Sequence, residues 1–238
     1  MVSRLKLGDI EVDVMFKNIR NVHLSVHPPT GQVRISAPVR MQLDTIRVFA
    51  VSKLGWIKQQ QNKLRGQDRE TRREYVDRES HYLWGQRYLL KIVQEDAPPA
   101  IEVKHRMLLL RVRPGTDHEK KQAIMEGWYR EQIKKAAYPL ISKWQSILHV
   151  EVSRVFVQRM KTKWGSCNAD NCSIRLNMNL AKKPRECFEY LVVHELVHLL
   201  ERKHNDRFKA LMDSAMPHWR LHRDELNRAP LAYENWTY

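Results

Sequence analysis

The sequence predicts an α+β fold, in which a β-rich region with one helix over residues 1–115 precedes an α+β domain over residues 116–238. The first observation behind this prediction is the alternation of apolar and polar residues in the N-terminal part, which is typical of strands with one buried face. The second is a change of period after Thr116, where the apolar residues recur at helical spacing. We therefore expect the boundary between residues 113 and 118.

The N-terminal region is predicted to consist of strands and a single helix. Strands are expected at residues 10–14, 22–26 and 33–37, with proline and glycine forming a turn before the third. Asp44 is expected to cap a helix that continues to about residue 65. After a charged stretch come four further strand-like segments, at residues 82–83, 88–93, 101–103 and 107–112.

The C-terminal domain is predicted to combine helices with two strands. Its first part is either one long helix or two helices broken near Pro139, because proline lacks the N–H that a helix interior uses. Strands are expected at residues 150–157 and 173–177. Residues 184–200 should form a helix that opens on a proline, and residues 206–226 the last helix.

The composition is that of a globular protein with a strong basic excess. Hydrophobic residues make up 42% and charged residues 29% of the chain, a balance that argues against a disordered protein. The formal net charge of +15 favours a polyanionic partner, with DNA or RNA as the first candidates. The alternative is that lysine and arginine simply solvate the surface, since they are scattered along the whole chain.

The sequence predicts a cytoplasmic location. No apolar run approaches the roughly 18 residues that a membrane span needs, and no signal-peptide stretch follows the first residues. The three cysteines, Cys167, Cys172 and Cys187, are too few for a disulfide framework, so we expect free thiols. Cys167 and Cys172 could instead help to hold a structural zinc, but no second pair with suitable spacing accompanies them.

The most informative segment is His-Glu-Leu-Val-His at residues 194–198. Residues four apart lie on one face of a helix, so His194 and His198 can bind one metal ion, while Glu195 can reach a water molecule beside it. The surrounding helix is apolar nearly all round and should be buried. The alternative is a pair of core histidines bonded to backbone carbonyls, with Glu195 in a salt bridge. That arrangement gives no reason for three polar groups on a buried helix.

A catalytic zinc usually takes three protein ligands and keeps a fourth position for water. His204 is the best third ligand, because it follows the helix within one reversal of the chain; the alternative is an exposed loop histidine. Glu201 and Glu225 are the fallback ligands. His218 and His222 form a second pair at helical spacing, which we interpret as surface groups or as supports of the ligands.

The segment from residue 159 to residue 226 resembles the YgjP-like metallopeptidase family, which is related to the SprT and WLM zinc peptidase domains. Gly55-Trp56-Ile57 and Trp128-Tyr129 extend the resemblance over most of the chain, and it is weakest at residues 67–78. The residues that carry it are Met160-Lys161-Thr162-Lys163-Trp164-Gly165-Ser166-Cys167, Ile174-Arg175-Leu176-Asn177, Val192-Val193-His194-Glu195-Leu196-Val197-His198, His204 to Phe208, and Met216-Pro217-His218-Trp219.

The resemblance implies a zincin-like domain with His194, His198 and His204 as zinc ligands and Glu195 as the general base. It also implies an edge strand that pairs with the extended substrate, for which residues 173–177 are the candidate. The alternative is an ordinary strand in the middle of a sheet.

Two neighbouring residues were considered for other roles. Trp164 is expected in the core rather than in contact with substrate. A nucleophilic role for Cys167 would require its own base and a lowered pKa.

The function predicted from these observations is hydrolysis of peptide bonds by a water molecule that zinc activates. The substrate is then a protein or peptide. The resemblance makes proteins associated with nucleic acid candidates, since the relatives include proteases that act on proteins attached to DNA, and the positive charge fits this. The competing hypothesis is a nucleic-acid or protein binding module with a structural or vestigial metal site. In that case the N-terminal β-rich part would carry the binding surface.

Overall fold

The structure is a computed structural model in which the chain divides into two units between Glu70 and Thr71. The α+β prediction is confirmed, because three mixed sheets are combined with six α-helices in the described part of the chain. The residues that the structure describes are 2–27, 31–65, 73–160 and 163–228.

The first unit is a four-stranded sheet followed by two helices. The strand order is β1-β2-β4-β3, with β2 and β4 parallel and the two outer pairs antiparallel. The sequence predicted one helix where the structure has two, which meet at Lys53, and it did not predict β1. The elements are β1 (Val2–Leu7), β2 (Ile10–Lys17), β3 (His23–His27), β4 (Gln32–Pro38), α1 (Leu43–Ser52) and α2 (Leu54–Arg65).

The core of the first unit follows from the two-residue period of its strands. Val12 and Val14 on β2 and Ile35 on β4 are buried, and their polar neighbours point to the other face of the sheet. Ile46 of α1 and Ile57 of α2 belong to the same buried cluster. The expected cap Asp44 lies inside the first turn of α1, and Gln42 takes the cap position without a side-chain hydrogen bond.

The second unit begins with another four-stranded sheet and continues through a long helix into a three-stranded sheet and three helices. The strand orders are β5-β6-β8-β7 and β10-β11-β9. Its elements are β5 (Ser80–Leu83), β6 (Gln86–Gln94), β7 (Ala100–Lys104), β8 (Met107–Val112), α3 (His118–Leu148), β9 (Arg154–Gln158), β10 (Gly165–Asn168), β11 (Ser173–Asn177), a 3-10 helix (Met178–Lys182), α4 (Arg185–Val197), α5 (Asp206–Ala215) and α6 (Trp219–Arg228).

Helix α3 runs without a break through Pro139, so the long-helix alternative is the one that forms. Pro139 has no N–H, so one backbone carbonyl of the preceding turn loses its helical hydrogen bond. Because Pro139 is exposed, that carbonyl can bond to water instead. The Asp117 side chain caps the first turn by accepting a hydrogen bond from the Lys120 N–H, and His149 ends the helix in a left-handed conformation with φ of 53°. Among the described residues, no helix is both long and apolar enough for a membrane span.

The β5–β8 sheet and the helices of the second unit share one core. The Tyr129 hydroxyl of α3 donates to the Tyr82 carbonyl of β5 at 3.0 Å. The Trp84 N–H donates to the Ala181 carbonyl of the 3-10 helix at 2.7 Å. Because these contacts join the sheet to the elements before α4, the predicted boundary between residues 115 and 116 lies inside the second unit.

Candidate metal centre

Helix α4 carries the first two histidines of the predicted site. Pro184 occupies the position before its first turn, and the helix ends at Val197, three residues earlier than predicted. His198 keeps helical backbone angles at the cap, with its N–H 3.3 Å from the His194 carbonyl, so the two rings stay on one side. The helix is buried nearly all round, as its apolar sequence predicted, and its buried residues are Cys187, Phe188, Tyr190, Leu191, Val192, Val193, Glu195, Leu196 and Val197.

The chain reverses after α4 and brings His204 back to the two helical histidines. One ring nitrogen from each of His194, His198 and His204 lies within 4.8 Å of the other two. The Nε2 atoms of His194 and His204 are 3.1 Å apart. These three residues form the one cluster of metal-binding side chains found in the described part of the chain.

The three imidazoles suit a zinc ion. A tetrahedral zinc with Zn–N bonds of 2.0–2.1 Å separates its nitrogen ligands by about 3.3 Å, close to the 3.1 Å between the His194 and His204 nitrogens. Burial, and then the neighbouring His198 and His204, lower the pKa of His194 to about 3. Burial also lowers the pKa of His198. Both rings are therefore neutral near pH 7, which is the form that binds a metal.

Hydrogen bonds orient two of the rings. The Nδ1 atom of His198 lies 3.0 Å from the Glu201 carbonyl and donates to it, which leaves Nε2 free to face a metal. The Tyr190 hydroxyl lies 3.4 Å from Nδ1 of His194, and the Tyr190 ring stacks on Trp219 of α6. These contacts restrict how the His194 and His198 rings can turn.

Glu195 is buried at 4% exposure and lies against strand β10 rather than among the histidines. A Cβ atom added to Gly165 would be 2.6 Å from Glu195 Oε1, so the absence of a side chain at Gly165 makes room for the carboxylate. Burial raises the pKa of Glu195 to about 8, and the Lys163 ammonium acts in the opposite direction. The carboxyl group is thus held against β10, one residue after His194 in the chain, in a form that can exchange a proton near neutral pH.

The fallback ligands lie outside the cluster. The Glu201 carboxylate accepts a hydrogen bond from the Lys203 N–H at 3.1 Å. The Glu225 carboxylate lies 3.4 Å from the Cys187 thiol, about two helical turns before His194 in α4. His218 and His222 also lie outside the cluster of three.

The edge strand beside Glu195 is β10, and the prediction that residues 173–177 form it was wrong. Strand β11 lies in the centre of its sheet, with β10 antiparallel on one side and β9 parallel on the other. Its alternating pattern could not reveal this, because a strand's own sequence does not say how many partners it has. The Asn177 side chain donates to the carbonyls of Met160 and Lys163, at 2.8 and 2.9 Å, and so fixes the start of the segment that leads into β10.

The residues around β10 bear on the alternatives for the cysteines and Trp164. Burial, and then the Glu195 carboxylate, raise the pKa of Cys167 to about 11, which keeps the thiol protonated and argues against a nucleophile. Cys167, Cys172 and Cys187 are free thiols in the structure. Trp164 packs against the core of the second unit, as predicted.

Three residues near the site received no role in the sequence analysis: Tyr190, Gly165 and Phe208. Gly165 and Phe208 belong to the motifs that resemble the family. The residues around them in the sequence do not reveal that Gly165 contacts Glu195 or that Phe208 contacts the histidines. Tyr190 could have been found, because it precedes His194 by one helical turn.

The family model for the YgjP-like metallopeptidase domain matches residues 20–229. The chain belongs to this family. Members are metallopeptidases, so the family supports a hydrolase that cleaves proteins or peptides and uses a metal, typically zinc. No curated protein matches this YgjP-like chain.

Two solved structures are similar to part of the YgjP-like chain. The metallopeptidase zymogen abylysin of Pyrococcus abyssi is 19% identical, with a TM-score of 0.36 over 38% of this chain and 90% of that one. The metallopeptidase zymogen jannalysin of Methanocaldococcus jannaschii is 18% identical, with a TM-score of 0.35 over 38% of this chain and 92% of that one.

Proposed function

We propose that this chain is a zinc-dependent peptidase in which His194, His198 and His204 hold the metal and Glu195 is the general base. The observation that carries the proposal is the convergence of three imidazoles within 4.8 Å, with Glu195, which is 4% exposed, directly after His194 in the chain. Burial of the Glu195 carboxyl and partial burial of His194 and His198 cost free energy unless these groups are paired or bind an ion. A zinc ion would bind these two imidazoles together with that of the exposed His204.

The residues have separate tasks in peptide hydrolysis. When bound, zinc would act as a Lewis acid that lowers the pKa of water and polarises a carbonyl oxygen. Glu195 accepts the proton of the attacking water and later gives it to the leaving amine. Without a metal the pKa of Glu195 is raised by burial to about 8, and a bound cation would bring it back down towards the pH at which a carboxylate can accept a proton and release it again.

Strand β10 is the proposed binding edge for the substrate backbone. Among the described residues β11 is its one partner strand, and Gly165 in β10 faces the Glu195 carboxylate. An extended peptide can add to such an edge as a further strand, with main-chain hydrogen bonds providing affinity. This geometry would place a peptide carbonyl next to the general base.

The proposal is tested by zinc analysis and cleavage of an unfolded protein by the wild type and Glu195→Gln. We expect one zinc per chain in both proteins and a loss of hydrolysis of roughly 10² or more in the variant, because the base is removed while its size is kept. Glu186→Gln, at an exposed position in the first turn of α4, is the matched control and should remain active.

Other outcomes would identify what is wrong. Loss of zinc together with activity in Glu195→Gln would make the carboxylate a ligand or a structural group. Unchanged hydrolysis would exclude Glu195 as the base. If the wild type binds zinc but does not cleave the unfolded protein, whether or not DNA is added to the assay, the binding module with a vestigial site is favoured.

A second candidate is that the protease acts on proteins associated with DNA or RNA. Residues 154–185 contain eight lysines and arginines and one acidic residue, Asp170, and so account for +7 of the net charge of +15. On β9, Phe156 is 40% exposed, and the Arg175 guanidinium lies 5.5 Å from its ring centroid. Exposed aromatic rings beside arginine are a surface on which bases can stack.

The nucleic-acid candidate is tested by filter binding at two salt concentrations, with wild type and Phe156→Ala. Affinity should fall steeply as salt rises, because bound phosphates release counterions. Salt-independent association, or equal binding by the variant, would leave surface solvation as the better explanation of the charge. We also propose a cytoplasmic location, which the three free thiols support.

A further inference from the structure

One buried aromatic ring contacts all three histidines of the candidate metal centre. Phe208 lies in the first turn of α5 and is 1% exposed. Its ring centroid is 5.0 Å from that of His194, 4.7 Å from that of His198 and 4.7 Å from that of His204. The ring meets His194 and His204 edge-on, at 71° and 86°, and lies tilted at 33° to His198.

The chain fixes Phe208 through the residue that follows His204. Asn205 caps α5, and its side-chain oxygen accepts a hydrogen bond from the Phe208 N–H at 3.0 Å. The backbone is therefore held between the third histidine and the ring that packs against it. Phe208 also belongs to the main core of the second unit, so its ring cannot move away from the histidines freely.

The other supports of the histidines act on one ring each. The Tyr190 hydroxyl contacts His194, and the Glu201 carbonyl holds His198. Among the described residues, neither the Tyr190 hydroxyl nor the Glu201 carbonyl holds His204, and residues 202–207 around it are exposed. Phe208 is the side chain that connects all three rings within the described residues.

We propose that Phe208 is a positioning residue: its apolar ring packs against the three imidazoles and holds them in their converging orientation before the metal binds. The inference rests on the proposed zinc site. An aliphatic side chain of similar volume would fill the space without presenting a flat, rigid surface, so the rings could tilt. Metal affinity then falls, because the protein must order its ligands on binding.

The test compares Phe208→Leu with Phe188→Leu. Phe188 is also 1% exposed in the same core, but its ring packs on Trp84 at 5.5 Å. Zn²⁺ affinity is measured by competition with a chromophoric chelator, and the visible spectrum of the Co²⁺-loaded protein reports the coordination geometry. We expect Phe208→Leu to weaken Zn²⁺ binding by roughly 10–100-fold and to alter the Co²⁺ spectrum. Phe188→Leu should stay within about twofold of the wild type while losing a similar amount of thermal stability.

The inference is overturned if Phe208→Leu binds Zn²⁺ with wild-type affinity and spectrum, or if both variants weaken Zn²⁺ binding equally. Should Phe208→Leu fail to fold, Phe208→Met, which nearly conserves the volume and lacks the ring, is measured in the same way against the same criteria. A wild-type chain that takes up no Zn²⁺ overturns the proposed function and this inference together. Normal Zn²⁺ uptake that is lost in His204→Ala but unchanged in the Phe208 variants overturns the inference alone.

Discussion

The two four-stranded sheets of the molecule have the same topology but different surroundings. The order β1-β2-β4-β3 in the first unit matches β5-β6-β8-β7 in the second, with one parallel pair in the centre and an antiparallel pair at each side. The first sheet buries its apolar face against α1 and α2 and completes a core of its own. The second shares its core with α3, α4 and α5.

The turn between β5 and β6 packs against the start of α4, the helix that carries His194. Gly85 has φ of +79°, and a Cβ atom there would lie 3.2 Å from the Pro184 side chain at the start of α4. The Trp84 ring packs on Phe188 of the same helix, with centroids 5.5 Å apart. Strand order alone therefore does not reveal that the second sheet shares a core with α4; the side chains at its β5–β6 turn do.

The largest expected effect comes from truncating a buried side chain on the equivalent central strand of each sheet. Ile35 on β4 and Leu110 on β8 are both 0% exposed. Ile35→Ala and Leu110→Ala should each cost about 2–5 kcal/mol in their own unit, so only Leu110→Ala should destabilise the unit that contains the three histidines. Hydrogen exchange, followed separately for the peptides of each unit, measures both effects. Equal loss of protection in the second unit for the two variants would break the comparison.

A smaller effect is expected from a methyl group beside Glu195, the proposed general base. In Gly165→Ala the new Cβ meets Glu195 Oε1 at 2.6 Å, and the flexible end of the side chain must move. Hydrolysis should fall by roughly tenfold or more while stability changes little, because a displaced catalytic group costs rate rather than packing. Gly127→Ala on α3, where nothing lies within 4 Å of the added Cβ, is the control. It should keep activity and gain about 0.5–1 kcal/mol of stability.

Acid should destabilise the second unit of the metal-free protein through His194. Burial lowers the pKa of His194 to about 3, whereas the unfolded residue titrates at about 6.5. Below pH 6.5 the unfolded chain binds the proton and the folded chain does not, so the stabilisation present above pH 6.5 is lost as the pH falls towards 3. The loss is about 1 kcal/mol between pH 6.5 and 5.5.

This pH dependence is measured by denaturant titrations of the chelator-treated protein at several pH values. His194→Gln should flatten the profile of the second unit, and His23→Gln, at an exposed position of β3, should not. A profile that His194→Gln leaves unchanged would show that other groups govern the acid sensitivity.

The smallest effect concerns the hydrogen bond that joins the second sheet to α3. Tyr129→Phe removes the donor to the Tyr82 carbonyl but keeps the ring, so we expect a loss of about 0.5–1.5 kcal/mol in the second unit. Tyr138→Phe on the same helix, where the side chain is 62% exposed, should be neutral. Thermal unfolding compares the two, and equal melting temperatures would mean that this bond adds nothing to the connection.

The sequence by itself determined the features that depend on residues close together in the chain. The four-residue spacing of His194 and His198 sets both rings on one face of a helix, because helix geometry is local. The apolar residues around them predicted the burial of α4. The short segment to His204 limits how far the third histidine can be, although Glu201 and Glu225 remained alternatives from sequence. Alternation and helical spacing also predicted the α+β class and most of the elements.

Tertiary structure alone decided which elements become neighbours. The two-residue period of β11 and β10 says which residues share a face, but not that β10 is at the edge beside Glu195. A domain boundary likewise depends on which elements share a core. The β5–β8 sheet shares its core with α4, so the chain divides near residue 70 and not near residue 115. Phe208 shows the limit most clearly: its position in α5 predicts a buried side chain, and only the reversal of the chain brings it against three histidines at once.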